Sequence, residues 1–197
     1  MIGQSGKALH SLKNGRDYNG SMYELASQME SLPVISLQTG EVVGLAREPV
    51  FDIADLEIIA YRCESARGKQ ALILLARDIR QLASDCIIID SEDELTEPGD
   101  LVRLGPQLEA GYSPLGKSVV SDTGRKLGHV EDYSLNLETG RVQKLHVRQS
   151  LLRAWLGSSL IIDRTQILDI TPRLITVRDA TIKAPVLAAE PIPDTPS

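Results

Sequence analysis

The sequence predicts an all-β protein built as two tandem small β-barrels with short helical turns, a flexible N-terminal arm and a disordered Pro-rich tail. Three observations predict it. The core must be mostly Val, Ile and Leu, because the 197 residues hold one Trp (Trp155) and one Phe (Phe51), and the β-branched members of that set favour strands. The chain repeats itself: Leu37–Cys63 lies over Ser121–Val147 without gaps, so that Thr39-Gly40 falls on Thr123-Gly124, Gly44 on Gly128, Phe51 on Leu135 and Asp52 on Asn136. Finally, Gly, Asp and Asn punctuate the apolar runs at strand-length intervals, the spacing of turns in a small sheet.

Each element follows in order. Residues 1–31 form the arm, within which Ser21 and Glu24 have capping-box spacing and predict a short helix over Ser21–Glu30. Residues 32–104 are the first barrel. "PVISL" runs to the turn at Gly40, "EVVGLAREPVFD" is the second strand and "LEIIAYRC" the third. Residues 105–114 are a linker, and residues 115–183 the second barrel, with its turns at Gly124 and Gly140. Gly44 and Gly128 sit inside strand patterns, where a glycine marks a bulge or bend. After a shift of about four residues Ile79–Ile89 lies over Ile167–Val177, giving each unit a helical turn near Ile79–Leu82 or Ile167–Ile170 and a closing strand. "DLVRL" after the first unit is a candidate extra strand, and "IADLEI" lacks the turn glycine of its counterpart, so a different hairpin geometry is expected there. Residues 184–197 are Pro-rich and read as a disordered tail.

The formal net charge is −6 and the pI about 5.1, without a Lys/Arg cluster, which argues against direct nucleic-acid binding. Cys63 and Cys86 lie in apolar runs without a CxxC and read as two reduced core thiols, the alternative being one bridge. The first residues lack the apolar stretch of a signal peptide and no run of about 18 apolar residues occurs, so a cytoplasmic protein without a transmembrane segment is expected.

The second unit carries a Gly116-Lys117 entry, a D-x-G turn at Asp122–Gly124, L-G-x-V-E-D at Leu127–Asp132, and an N-x-x-T-G-R-V turn at Asn136–Val142. These features resemble the opening of a PRC-barrel domain, and "LARDIRQLASDCIII" carries a looser resemblance through the first unit. The resemblance implies a small SH3-like barrel that docks onto other proteins, similar to those of the photosynthetic reaction-centre H subunit and the C-terminal domain of the ribosome maturation factor, and two such barrels in tandem would be an arrangement different from both. It implies no catalytic residues.

A search for chemistry agrees. GxSxG, P-loop, GxGxxG and HExxH patterns are missing, and of His10, His129 and His146 it is His129 that has carboxylates near it, Glu131 on its own strand face and Asp132 on the other, a solvated or rim histidine being the reading taken over a metal or acid-base pair. No metal, cofactor or catalytic residue is therefore assigned, and a small-ligand carrier is disfavoured because no convergent polar constellation is legible. The candidate partner surface is "SLLRAWLGSSLII", where Leu151, Leu152, Arg153, Trp155 and Leu156 cluster at helix-like spacing. Trp and Arg are common interface anchors, and closure of the second barrel is the other role open to them. The functional expectation is a non-enzymatic adaptor that docks on a protein partner, a peripheral membrane complex being one candidate and self-association another. The alternative is a ribosome-assembly or RNA-processing accessory that contacts a ribosomal protein.

Overall fold

The computed structural model describes residues 22–68, 70–149 and 160–178. They are mostly strand. The chain enters with β1 (Tyr23–Leu25), then builds β2 (Leu32–Ser36), β3 (Val42–Asp52), β4 (Glu57–Ser65), β5 (Ala71–Leu75), β6 (Ile79–Leu82), β7 (Ile87–Ile89) and β8 (Leu95–Thr96). A six-residue helix α1 (Gly105–Ala110) follows, and then β9 (Ser118–Ser121), β10 (Lys126–Asn136), β11 (Val142–Arg148), β12 (Leu160–Asp163), β13 (Ile167–Ile170) and β14 (Leu174–Val177). Two curled sheets result. One has the order β6-β7-β2-β3-β4-β5-β8, the other β12-β11-β10-β9-β14-β13 with β1 added on β10.

Without β8 and β1 the two orders are the same, down to one parallel pair in each, β2 with β7 and β9 with β14. The bulges repeat as well. Register shifts fall between Ala46 and Glu48 and between Val50 and Phe51 in the first sheet, and between Val130 and Asp132 and between Ser134 and Leu135 in the second. The repeat read from the glycines is thus a repeat of pairing. Its four-residue slip lies between the third and fourth strands of each unit, where the second unit has the longer connection.

Several local expectations change. Residues 23–28 are β1 and a 3₁₀ turn (Ala26–Gln28) rather than a helix, because Tyr23, Glu24 and Leu25 find partners in Asn136, Leu135 and Ser134 on β10, and strand pairing outweighs a capping box with no helix behind it. The helical turns sit three residues earlier than expected, at Ala76–Asp78 and Arg164–Gln166, and Ile79–Leu82 and Ile167–Ile170 are strands. "DLVRL" contributes no strand, since Val102–Leu104 form a 3₁₀ turn and the added strand is Leu95–Thr96. The 105–114 linker contains α1, with Pro106 in its first turn and Gly111 closing it at φ +53°. Buried Leu108 packs it on Val50, Ala60, Ile73 and Leu75.

The "IADLEI" hairpin does not differ as expected. Leu56 takes φ +46°, matching φ +66° at Gly140, its counterpart in the repeat. A leucine in left-handed backbone is strained, and full burial of the side chain is what holds it there. Asp52 and Asn136 begin the two hairpins alike: each side-chain oxygen accepts a backbone N–H two residues on, from Ala54 at 2.9 Å and Glu138 at 2.9 Å.

The two hairpins meet. Ile58 N–H donates to Gly140 O at 2.8 Å, and Val142 N–H donates to Leu56 O at 3.0 Å. Between these bonds Glu57 bridges Arg141, 84 positions away, with Nε to Oε2 at 2.7 Å. Residues 56, 57 and 58 are the repeat counterparts of 140, 141 and 142, so the contact is a reciprocal one about a local pseudo-twofold axis. One apolar core runs across it, joining Phe51, Leu56 and Ile58 to Tyr133, Leu135 and Val142.

Candidate functional site

A cleft of about 550 Å³ is lined by residues of both units, β3 and β10 among them. Its walls come from four places in the chain. β3 and β4 supply Pro49 and Tyr61, β10 supplies Asp132 and Tyr133, the turn after β1 supplies Met29, and α1 with the segment after it supplies Gln107 and Tyr112. Tyr133 is the repeat counterpart of Pro49, and both line the cleft.

Aromatic rings concentrate here. Tyr61, Tyr112 and Tyr133 line the cleft, and Phe51 behind them meets Tyr133 and Tyr112 edge to face at centroid distances of 5.7 and 6.5 Å. The Lys117 ammonium lies 5.2 Å from the Tyr112 ring centroid. Tyr61 is 5% exposed and Tyr112 6%. Three buried side-chain atoms have no hydrogen-bond partner among the described residues: Tyr61 Oη, Tyr112 Oη and Gln107 Oε1. All three residues line this cleft, and Tyr61 also borders a second one beside Ile79 and Leu137. Burial pushes the Tyr112 phenol up to about 12 and Tyr61 higher still, so both hydroxyls keep their protons at neutral pH.

The polar rim is acidic. Glu30, Glu48, Glu131 and Asp132 face two guanidiniums, and both of those are engaged. Arg47 donates to Glu64 at 2.8 Å, and Arg62 donates to the Leu108 carbonyl, satisfying an open acceptor near the end of α1. Asp132 fixes the turn after β1, accepting Ser27 Oγ–H at 2.6 Å. None of this was legible in sequence order, because Tyr61, Gln107 and Tyr112 come to one cleft only once α1 has packed on the sheet of the first unit. The scarcity of aromatics was the one available signal.

The other candidates are placed as follows. His129 lies 3.4 Å from Ser118 Oγ, His146 lies 2.9 Å from Ser134 Oγ, and Glu131 is taken by Arg148. Among the described residues no cluster of His, Cys, Asp and Glu could hold a metal ion. Cys63 and Cys86 are free and buried. Gly40, Gly124 and Gly140 occupy left-handed turn positions, and Gly44 and Gly128 lie where strands crowd. The expected partner surface, Leu151, Leu152, Arg153, Trp155 and Leu156, and the 184–197 tail lie outside the described residues. Among the described residues the strand following that surface, β12, pairs on one side only, with β11. Its counterpart β5 is covered by β8.

The match to known proteins comes from the second unit. A model of the PRC-barrel domain matches residues 106–180. This part of the chain is a PRC-barrel domain. The matched span starts at α1 and ends just past β14, so the helix read as linker belongs to it. The first unit has the same strand order outside the matched residues. No curated protein matches the chain. Among the described residues no helix is long and apolar enough to cross a membrane.

Proposed function

We propose that the chain is a non-enzymatic adaptor made of two PRC-barrels in tandem, working in the cytoplasm and docking on a protein partner in a peripheral membrane complex. The barrel family supports a protein-interaction module, and the repeated strand order supports extending that reading to the first unit. The observation that carries the docking reading is the β12 edge. In the first unit Ile73 and Leu74 of β5 pair with Thr96 and Leu95, whereas β12 has no such strand beside it among the described residues. An open edge takes an added strand through main-chain bonds, with alternate side chains giving selectivity. Ile161 on that strand is 51% exposed, and the Trp155 segment leads directly into it.

The test is capture of the tagged chain from native lysate, with membrane, ribosome and soluble fractions kept apart. A membrane complex retained by the native chain, and lost from both Trp155→Ala and Ile161→Lys proteins of unchanged melting temperature, is the expected result. Enrichment with small ribosomal subunits would instead favour the assembly accessory. A fall in melting temperature for Trp155→Ala without loss of partner would make that tryptophan a core residue.

A further inference from the structure

We infer that the β12 edge is a docking site for a segment of this same chain, Ile182 and Lys183, added to it as a short antiparallel strand. The edge is the one used in the docking reading, and only the consequence, a segment in cis that a partner must displace, rests on that reading.

The first unit shows the arrangement. Ala60 opposes Leu75 on β5, and its repeat counterpart Lys144 opposes Asp163 on β12, so Ile73 and Leu74 correspond to Ile161 and Ile162. On β5 those two positions pair with Thr96 and Leu95 of β8. β8 comes from the closing strand β7 through residues 90–94, which include the 3₁₀ turn Glu92–Glu94, and it starts opposite Leu74, near the C-terminal end of β5. In the second unit the closing strand β14 delivers the chain to the same place. Arg178 N–H donates to Gln166 O at 2.8 Å, and Gln166 ends the 3₁₀ turn that directly follows β12. The described residues end at Arg178, so the chain continues from beside the C-terminal end of β12, the end from which β8 meets β5.

The sequence past Arg178 fits that path. Leu95-Thr96-Glu97-Pro98 has its counterpart in Ile182-Lys183-Ala184-Pro185: an apolar residue, a polar one, a spacer and a proline. Residues 178–181 then replace residues 90–94 as the connection, one residue shorter. Five extended steps reach about 16 Å, the same as six steps of which three climb a 3₁₀ turn at about 2 Å each. Pro98 opens the next 3₁₀ turn after β8, and Pro185 has no N–H with which to prolong a ladder. Opposed residues of an antiparallel pair share a face. Ile182 opposite the buried Ile162 therefore joins the core side, as Leu95 does opposite Leu74. Lys183 lays its methylene stem over the exposed Ile161. The outer face calls for a strand and not a helix, because Val50 and Ala60, which α1 covers in the first unit, are Ser134 and Lys144 in the second.

Amide hydrogen exchange of the full chain, read residue by residue by NMR, tests this without any partner. The amides of β12 that point away from β11 are expected to exchange slowly in the native chain and at least about 10-fold faster in Ile182→Asp, whose charge cannot enter the core side of the sheet. The amides that bond β12 to β11 should stay slow in both proteins, which shows that the variant is folded. Lys183→Ala keeps the backbone donor and acceptor and should leave the outward rates within about 2-fold of native. The inference is overturned if the outward amides exchange at unprotected rates in the native chain, or if Ile182→Asp leaves them as slow as before. Protection that fades on dilution would also overturn it, giving the edge to a second copy of the chain. Capture from lysate tests the docking reading and these rates test the cis strand, so each can fail alone.

Discussion

A Cβ placed on Gly128 would lie 2.1 Å from the Arg148 carbonyl oxygen, at a φ of +152° that side chains avoid. The glycine therefore lets β10 pass against β11 where the strand bends, and the atom in the way is backbone, which cannot swing aside. Gly128→Ala is expected to cost about 3 kcal/mol in urea unfolding, against about 1 kcal/mol for Gly124→Ala, which sits at φ +80° in open space. Similar losses for the two would remove the close-approach argument. The thiols give a second prediction. Burial pushes Cys63 up to about 12, and burial together with the neighbouring Asp85 carboxylate pushes Cys86 up to about 11. In the unfolded chain both ionise near their ordinary value, so the folded state binds more protons at alkaline pH and stability falls as pH rises. The stabilisation is complete below about pH 8.5 and is lost progressively toward 11–12. Iodoacetamide at pH 8 should leave both cysteines unmodified in the native chain and alkylate both in urea, while rapid native alkylation of Cys63 would contradict its burial.

The hairpins show how much of an element a sequence reveals. Strand runs, turns and the bending glycines were legible because pleating and turn geometry act over a few residues, and the periodic apolar pattern reports them directly. The tip of the first hairpin was not. A leucine at the place of a turn glycine suggested a different loop, yet Leu56 holds the same left-handed backbone as Gly140, because its side chain is sealed in the core shared with the other unit. Long-range packing overrode a local preference there. β1 is a similar case, since its strand character comes from β10, more than a hundred residues away. Leu56→Ala keeps the strained backbone and removes the burial that compensates it, so a loss of about 3 kcal/mol is expected in chemical unfolding. Glu57→Gln, beside it on the surface side of the bridge, should leave stability close to native, because the two main-chain bonds of the bridge remain. A loss at Glu57 as large as that at Leu56 would mean that the ion pair, and not the buried leucine, holds the hairpins together.

At the scale of the molecule the repeat leads to a statement about cooperativity. In the sequence, the apolar Leu101, Val102 and Leu104 between the two units suggest that the units pack on each other. The structure uses Leu101 and Leu104 differently, against the α1 cluster, and leaves Val102 84% exposed. The units are joined instead by the reciprocal hairpin bridge and by a single core cluster that runs from Val34 and Phe51 in one sheet to Tyr133 and Ile175 in the other. Reciprocal packing was not legible because it depends on which faces of two similar units meet, and their internal patterns are the same whichever faces are chosen. Buried area that both units share is exposed when either one opens, so neither sheet keeps its core after the other is lost. Unfolding should therefore be one transition, with the calorimetric and van't Hoff enthalpies equal and the far-UV and tyrosine near-UV signals coincident. Leu56→Ala in the first unit and Val142→Ala in the second should each shift that whole transition downward. Two separated transitions, with each substitution moving only its own, would show that the core divides at the bridge and that the two units fold as independent domains.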